Sequence, residues 1–388
     1  MITFREDTPR QHKAREARLL AKVDAVKASN ETRCGFLKIY PTTPQAFLPL
    51  TSDKVTIGRA SPCEIIIISD LVSRRHAEVE RSGGEWRIRD LESANGLYVN
   101  GKRVQTRVLV EGDVLRIGTW LFRFVADADQ VEIEGQGGED GEMVGRRLEP
   151  LRQDLVRAAA SRASVVLLGE AGTGKSLAAR FLHQQRLGPF AAVDCTQASQ
   201  QQLEDALEQA RGGTLFLRLV GALKPNLQRW LAAQLEEVLL VVSNREPLAL
   251  TPELAGRLED AVEVHVPPLR ERPEDIPVLV ARLVSARGRE LQITMEAMEA
   301  LCCNRWPGNV QQLERAVREA VEQTPEGSWI DLEQLDGERP SSMLAELEQA
   351  LRLHRGDVNA AALELGISRS QLYRRAQKLG VRVADFRH

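Results

Sequence analysis

The sequence predicts a multidomain chain with three folded units in series: an all-β sandwich, an α/β unit on a parallel sheet, and an all-α C-terminal unit. Three observations predict it. Between residues 35 and 125, short β-rich runs are separated by turn residues at regular spacing, the signature of a sandwich. From 145 to about 325, helical periods alternate with apolar runs, which implies parallel strands joined by helices. From 340 to 388 the pattern is helical throughout, with caps and a Gly-centred turn.

Residues 1–34 form a charged N-terminal arm. Within 8–28, Arg10, Lys13, Arg15, Arg18 and Lys22 surround Leu19, Leu20, Val23 and Val26, a pattern for a short amphipathic helix or a frayed arm. In 35–125 the clearest strands are 64–68 (Glu-Ile-Ile-Ile-Ile), 86–89 (Trp-Arg-Ile-Arg) and 97–99 (Leu-Tyr-Val). Ser82-Gly83-Gly84, Asn95-Gly96 and Asn100-Gly101 read as hairpin turns.

Residues 126–144 hold seven acids, no base and four glycines. Such a stretch cannot bury a core and is expected to be a linker. In 145–325 the apolar runs 164–168 and 238–242 are expected as buried strands. A polar, Pro-containing stretch, 324–342, sets off the last unit. There, 347–353 is apolar-periodic, Asp357 caps a helix containing 360–365, and Gly366-Ile367 makes a turn. Ser368 caps a third helix running to about Leu379.

Composition narrows the function classes. The 388 residues are 43% hydrophobic, enough for two or three cores. A net charge of −3 means that any nucleic-acid surface must be a local patch. Aromatics at 4% argue against stacking platforms for single strands. Five cysteines, with no CxxC pair, point to a reducing compartment. The adjacent pair Cys302 and Cys303 is expected to pack in a helix. No apolar run approaches the roughly 20 residues of a membrane helix, and the first 18 residues lack a signal-peptide core. The expectation is a soluble cytoplasmic protein with no membrane contact.

Gly169-Glu170-Ala171-Gly172-Thr173-Gly174-Lys175-Ser176 matches the P-loop pattern G-x-x-x-x-G-K-[ST]. It follows the apolar run 164–168 and precedes a helical run, 177–182, as the motif requires. Its backbone N–H groups would cradle the phosphates of ATP or ADP. Lys175 would meet the β/γ charge, and Ser176 would reach Mg2+.

In the β unit, Gly58-Arg59, Ser73-Arg74-Arg75-His76, Ser93-Ala94-Asn95-Gly96 and Asn100-Gly101 fall in an order and spacing that resembles the forkhead-associated (FHA) family. That resemblance implies a phosphothreonine-bearing protein as partner. Arg59 and Ser73 would grip the phosphate, Arg74 would assist, and Asn95 would hold the peptide backbone. A dianionic phosphate suits a guanidinium fork plus a hydroxyl donor. His76 and Asn100 read instead as loop-shaping residues. Ala94 stands where many members carry threonine, so peptide selectivity could differ.

The α/β unit resembles the AAA+ domain of sigma-54-dependent activators, with its helical lid. The matching pieces are Phe190-Ala-Ala-Val-Asp-Cys195, Gly212-Gly-Thr-Leu-Phe-Leu217, Val242-Ser-Asn-Arg245, the run 267–277 (Pro-Pro-Leu-Arg-Glu-Arg-Pro-Glu-Asp-Ile-Pro) and Trp306-Pro-Gly-Asn-Val310. The departures are specific. Arg218 and Leu219 replace the family's Asp-Glu pair, which holds Mg2+ and polarises the attacking water. Only residues 196–211 separate Cys195 from Gly212, too few for the family's sigma-54-contacting loop. Gln311 replaces the sensor arginine. Asn244 keeps one sensor position, Arg257 one arginine-finger position, and Thr251 stands at the other. Asp194 and Glu236 are the acids considered as substitutes. The resemblance thus implies a nucleotide-binding domain competent to oligomerise, with impaired ATPase activity.

Residues 361–374 resemble the Fis-type helix-turn-helix that ends most such activators. This implies double-stranded DNA as partner and a homodimer or larger assembly. Arg369, Ser370 and Gln371 would lie near base edges and Arg374, Arg375 and Lys378 at phosphates, with the cap residue Ser368 and Tyr373 also in the DNA-binding set. Residues 367–388 carry six Lys/Arg against one acid. The reading that follows is a transcription regulator. Two others stay open: an active sigma-54-dependent ATPase, against which Arg218, Leu219 and the short 196–211 segment speak, and an FHA scaffold in Ser/Thr kinase signalling.

Overall fold

In the computed structural model, the described residues are 34–41, 47–126, 148–161, 163–186, 188–235, 238–244, 250–288, 291–332 and 334–335. From the C-terminal unit they are 347, 351, 354, 357–364, 372, 373, 376 and 381. The N-terminal arm, most of the acidic linker and Glu236 lie outside them.

The N-terminal unit is the expected sandwich. Its strands are β1 (Gly35–Tyr40), β2 (Phe47–Pro49), β3 (Lys54–Gly58), β4 (Ile65–Ile66), β5 (Ala77–Ser82), β6 (Glu85–Asp90), β7 (Leu97–Val99), β8 (Lys102–Val104), β9 (Thr106–Val108), β10 (Val114–Ile117) and β11 (Trp120–Val125). One sheet runs β2-β1-β11-β10-β7-β8 and the other β4-β3-β5-β6-β9. Phe36, Ile57, Val79, Ile88, Leu115 and Phe122 fill the core between them.

Two of the turn readings hold. Gly83-Gly84 joins β5 to β6, and Asn100-Gly101 joins β7 to β8, each pair with both φ positive, as the tightest hairpins require. Asn95-Gly96 is a correction. It closes no hairpin but ends the long loop from β6 into β7, with Gly96 at φ 80. The strand expected at 64–68 is also shorter, only Ile65–Ile66. The Ile67 N–H still bonds the Gly58 carbonyl at 2.9 Å, the last rung of the parallel pairing with β3.

The second unit is a five-stranded parallel sheet, order β13-β14-β15-β12-β16. Its strands are β12 (Val165–Leu168), β13 (Phe190–Asp194), β14 (Thr214–Arg218), β15 (Leu239–Asn244) and β16 (Val262–His265). Helices α1 (Glu149–Ser161), α2 (Lys175–Gln184), α3 (Gln200–Gln209), α4 (Pro225–Gln234) and α5 (Pro252–Gly256) accompany it. The central strands β12, β14 and β15 are buried apolar runs because helices cover both faces, while the edge strands β13 and β16 are partly exposed. Residues 196–211 hold one turn and α3, started by a Ser199/Gln202 capping box and ended at Ala210. The segment is one capped helix, with no room for a projecting loop.

The lid follows: α6 (Ile276–Ser285), α7 (Met295–Cys303) and α8 (Asn309–Gln323), with β17 (Gln292–Ile293) paired to β18 (Trp329–Ile330). Cys302 is buried in its core and Cys303 packs beside it, as their reading required. That core also takes in Ile39, Tyr40, Val114 and Leu121 from the sandwich. The outer face of the six-stranded sheet is therefore seated on the lid. This explains why all six residues of β1 and all six of β11 are buried.

In the C-terminal unit, α9 (Val358–Glu364) begins after Asp357, whose carboxylate accepts the Ala360 N–H at 3.3 Å. Leu347, Leu351, Val358, Ala361, Leu372 and Ala376 form its core. Leu372 and Ala376 face inward, as their i, i+4 spacing implies, and Tyr373 is exposed.

Candidate functional site

The phosphate-site candidates of the sandwich converge on one loop cluster. The Arg59 N–H donates to the Ser73 carbonyl at 3.0 Å. The Ala94 N–H donates to Ser73 Oγ at 3.0 Å, and Asn95 Nδ2 donates to the Leu71 carbonyl at 2.8 Å. Ser73 thus accepts from the neighbouring loop and keeps its hydroxyl proton for a ligand. Arg59 and Arg74 are exposed, and Arg59 Nη1 lies 3.4 Å from the exposed Asp70 carboxylate.

Gly58 is required by packing. A Cβ there would sit 2.2 Å from the Arg74 carbonyl oxygen. Buried His76 is the internal brace. Its Nδ1 accepts the Ser73 N–H at 3.2 Å, and Nε2 faces the Gly96 carbonyl at 3.2 Å. The imidazole is therefore the Nε2–H tautomer, and burial, the largest cause, lowers its pKa. Asn100 shapes its own turn, donating to Asp113 and accepting from the Val114 N–H. Sequence reasoning missed Arg103 on β8, whose Nε lies 2.5 Å from where a Gly96 Cβ would be. That proximity depends on strand pairing between β7 and β8 and leaves no trace in motif spacing.

The P-loop spans the end of β12 and the start of α2. Gly172 is at φ 75, and a Cβ there would lie 2.3 Å from the Gly308 carbonyl oxygen, so the lid presses directly on the loop. Lys175 Nζ donates to the Gly169 and Glu170 carbonyls, both at 2.6 Å. Asn309, buried at the start of α8, donates from Nδ2 to the Ala171 carbonyl at 2.9 Å and to Glu170 Oε2 at 3.0 Å. Arg270 pairs with Glu170 at 2.7 Å. Its hydrogen bond, then that of Asn309, lowers the Glu170 pKa. Thr173 is tied by its carbonyl to Arg272 at 2.8 Å. Ser176 follows Lys175 in the first turn of α2.

Arg218 and Leu219, at the positions where the resemblance expects the acid pair, have a defined geometry. Arg218, at the C-terminal end of β14, ion-pairs with Asp194 at the end of β13. The Thr196 hydroxyl and N–H, and after them Arg218, hold the Asp194 carboxyl down to about 2. Asp194, considered as a substitute acid, is thereby engaged. Leu219 sits in the left-handed region, φ 55. Asn244 ends β15, its amide 3.0 Å from the position of a Gly221 Cβ. Arg257 follows α5, exposed, with Nε donating to the Ala232 carbonyl at 3.0 Å. Gln311 Cβ lies 3.3 Å from where a Gly172 Cβ would be.

Of the C-terminal candidates, only Tyr373 lies among the described residues. Ser368, Arg369, Ser370, Gln371, Arg374, Arg375 and Lys378 lie outside them. Among the described residues, no cluster of three or more His, Cys, Asp or Glu could hold a metal ion. No helix there is long and apolar enough to cross a membrane.

Four families match in chain order. They are the FHA domain over residues 55–118, the sigma-54 interaction domain over 145–245, the AAA+ ATPase lid domain over 270–350, and the bacterial regulatory protein, Fis family, over 345–379. The chain is an FHA-domain-containing relative of the sigma-54-dependent regulators, with an AAA+ lid and a Fis-family helix-turn-helix.

Among its relatives, the transcriptional regulatory protein XylR of Pseudomonas putida is 30% identical, covering 58% of this chain and 51% of that protein. The C4-dicarboxylate transport transcriptional regulatory protein DctD of Rhizobium meliloti is 31% identical, covering 62% and 64%. The chain thus spans about half to just under two thirds of the length of these curated relatives. A crystal structure of NtrX from Brucella abortus in complex with ATP is similar over 62% of this chain and 70% of that one, at 26% identity and a TM-score of 0.45.

Proposed function

We propose that this chain is a cytoplasmic, DNA-binding transcription regulator that docks a phosphothreonine-bearing protein on its FHA loops. It also holds ATP or ADP, with Mg2+, in a pocket that hydrolyses poorly or not at all. The observation that carries this reading is the convergence of Arg59, Ser73, Arg74 and Asn95 on one loop cluster. A phosphate with about −1.5 to −2 charges needs cationic forks and a hydroxyl donor together. Arg59 and Ser73 supply them, Arg74 adds charge, and Asn95 is left to hold the peptide.

In the nucleotide pocket, loop amides from Gly169 to Gly174 would take phosphate oxygens, Lys175 the β/γ charge and Ser176 the metal. Lys175 is already folded into the cradle, which fits that role. Catalysis is another matter. Phosphoryl transfer depends on positioned charge, yet Arg218 puts a cation where a metal-holding carboxylate belongs, and Leu219 accepts no proton. Asn244 and Arg257 remain as sensor and arginine finger, the latter acting across a homo-oligomer. At the C-terminus, Arg369, Ser370 and Gln371 would read base edges, Arg374, Arg375 and Lys378 would hold the backbone of double-stranded DNA, and Ser368 and Tyr373 would complete the surface.

The test is fluorescence anisotropy of the full chain against a threonine-phosphorylated peptide library and its unphosphorylated twin. The expected result is binding of phosphorylated members alone, lost in Arg59→Ala. Equal binding of both libraries by wild type and variant would overturn the reading.

A further inference from the structure

We infer that Arg123, on strand β11 of the FHA sandwich, is a positioning residue for the nucleotide pocket of the AAA+ domain. The inference rests on the nucleotide-binding reading above and extends it. Six side chains on the outer face of the six-stranded sheet meet the lid: Ile39, Tyr40, Val114, Arg116, Leu121 and Arg123. Four are apolar and share the lid's core. The two cations contact different parts of the lid.

Arg116 reaches α7. Its Nε donates to Glu299 at 2.7 Å and its Nη1 to Glu296 at 3.1 Å, while the guanidinium lies over the Tyr98 ring. Arg123 reaches the segment just before α6. Its Nη1 donates to the Glu271 carbonyl at 3.0 Å and to the Glu274 carboxylate at 3.3 Å. Arg123 is 6% exposed and Glu274 2%, so the pair is shielded from the solvent that weakens surface ion pairs.

That same segment holds the P-loop from its other side. Arg270 pairs with Glu170, Arg272 donates to the Thr173 carbonyl, and the Leu269 N–H donates to Asn309, which itself grips Glu170 and Ala171. Residues 269–275 are therefore a short bar with the FHA sheet on one face and the phosphate loop on the other. Two 3-10 turns, Leu269–Glu271 and Pro273–Asp275, stiffen it. A bar held at both faces transmits position. If the Arg123 contact is lost, the segment is released to shift, and with it Arg270 and Arg272. Coupling is reciprocal. Nucleotide in the P-loop should tighten the FHA–lid contact as much as that contact tightens nucleotide.

The experiment uses the full chain and two readouts, fluorescent-ADP affinity and backbone hydrogen exchange at 169–176, 269–275 and β11. Arg123→Ala is expected to weaken ADP about tenfold, within the roughly 5–150-fold span of ordinary allosteric coupling, and to speed exchange at 169–176. Arg123→Lys, which keeps the charge beside Glu274, should recover part of both. Arg116→Ala loosens the same interface at α7 and should change the P-loop far less. In wild type, ADP should slow exchange at β11 as well as at the P-loop.

The wild-type arm needs no variant to fold. ADP protection confined to 169–176, or Arg123→Ala and Arg116→Ala acting alike, overturns the inference. If the wild type binds no ADP, the nucleotide reading fails by itself. The exchange rates at 169–176 in Arg123→Ala then decide the positioning role alone, unchanged rates overturning it and faster ones upholding it.

Discussion

At the scale of single residues, the loops that carry Arg59 and Ser73 are fixed by close approach as much as by charge. A Cβ on Gly58 would meet the Arg74 carbonyl at 2.2 Å, and that backbone cannot yield without moving Ser73. Gly58→Ala should cost about 1–3 kcal/mol, the usual range for overpacking. It should weaken phosphopeptide binding too, as checked by urea denaturation and anisotropy on one sample. Arg59→Ala should instead leave the urea midpoint nearly unchanged, since its side chain is 42% exposed. Its phosphopeptide affinity should fall about 10–150-fold, the equivalent of the ~1.5–3 kcal/mol of a charged hydrogen bond. A midpoint shift as large as that of Gly58→Ala would reassign Arg59 to structure. Arg218 and Leu219 make a different kind of prediction. Arg218→Asp with Leu219→Glu should raise steady-state phosphate release about 100-fold over wild type, because single electrostatic groups contribute about that much to catalysis. Asp194 would keep its bonds from Thr196, the larger cause of its lowered pKa, but lose its cation, so its carboxyl should rise only in part from about 2. No gain in turnover with nucleotide still bound would place the defect elsewhere, at Gln311 first.

At the scale of elements, His76 ties two loops that the sequence lists twenty residues apart, by bonds to Ser73 and Gly96. Its pKa is lowered by burial, against the opposing pulls of the Gly96 carbonyl and Asp90. A depressed histidine stabilises the fold fully above its ordinary pKa of about 6.5. That contribution is lost as pH falls from there through the folded value. The protonated ring could no longer accept the Ser73 N–H. The urea midpoint of the full chain should therefore drop on acidification below about pH 6.5, and His76→Gln should flatten that slope. Equal slopes would remove His76 from the account. Elements were legible where pattern is local. Strands 97–99 and 165–168, the Asp357 cap and the two Gly-containing hairpins follow from residues next to each other. Asn95-Gly96 misled because the same dipeptide that closes a hairpin also serves a loop needing one positive φ. Arg103 was invisible because strand pairing, not spacing, brings it to Gly96. Arg123, a cation in an otherwise apolar strand, could have signalled a second covered face. The lid that covers it lies about 150 positions away, as Arg123 to Glu274 illustrates.

At the scale of the whole molecule, charge is distributed so that function is local. Net charge is −3, yet residues 367–388 hold six cations and one acid, while 126–144 hold seven acids. Attraction to a polyanion must come from local basic patches, the C-terminal one foremost, because the chain as a whole carries a net negative charge. Binding to double-stranded DNA should then have a modest salt slope, set by the few phosphates those cations neutralise. Each contact contributes about −0.9 to the slope of log affinity against log salt. Lys378→Ala should weaken binding to every sequence alike and flatten that slope by about one unit. Arg369→Ala should act differently. If it reads a base edge, it should cost about 1–3 kcal/mol on the preferred site and little on random DNA, narrowing the gap between them. Gel shifts of both variants on selected and random duplexes, at several salt concentrations, separate the two roles. A uniform loss from Arg369→Ala, with a flattened slope, would make it a phosphate contact and move base reading to Ser370 and Gln371. If the wild type itself bound selected and random duplexes alike, the C-terminal unit would be a basic clamp, and a partner would have to choose the promoter.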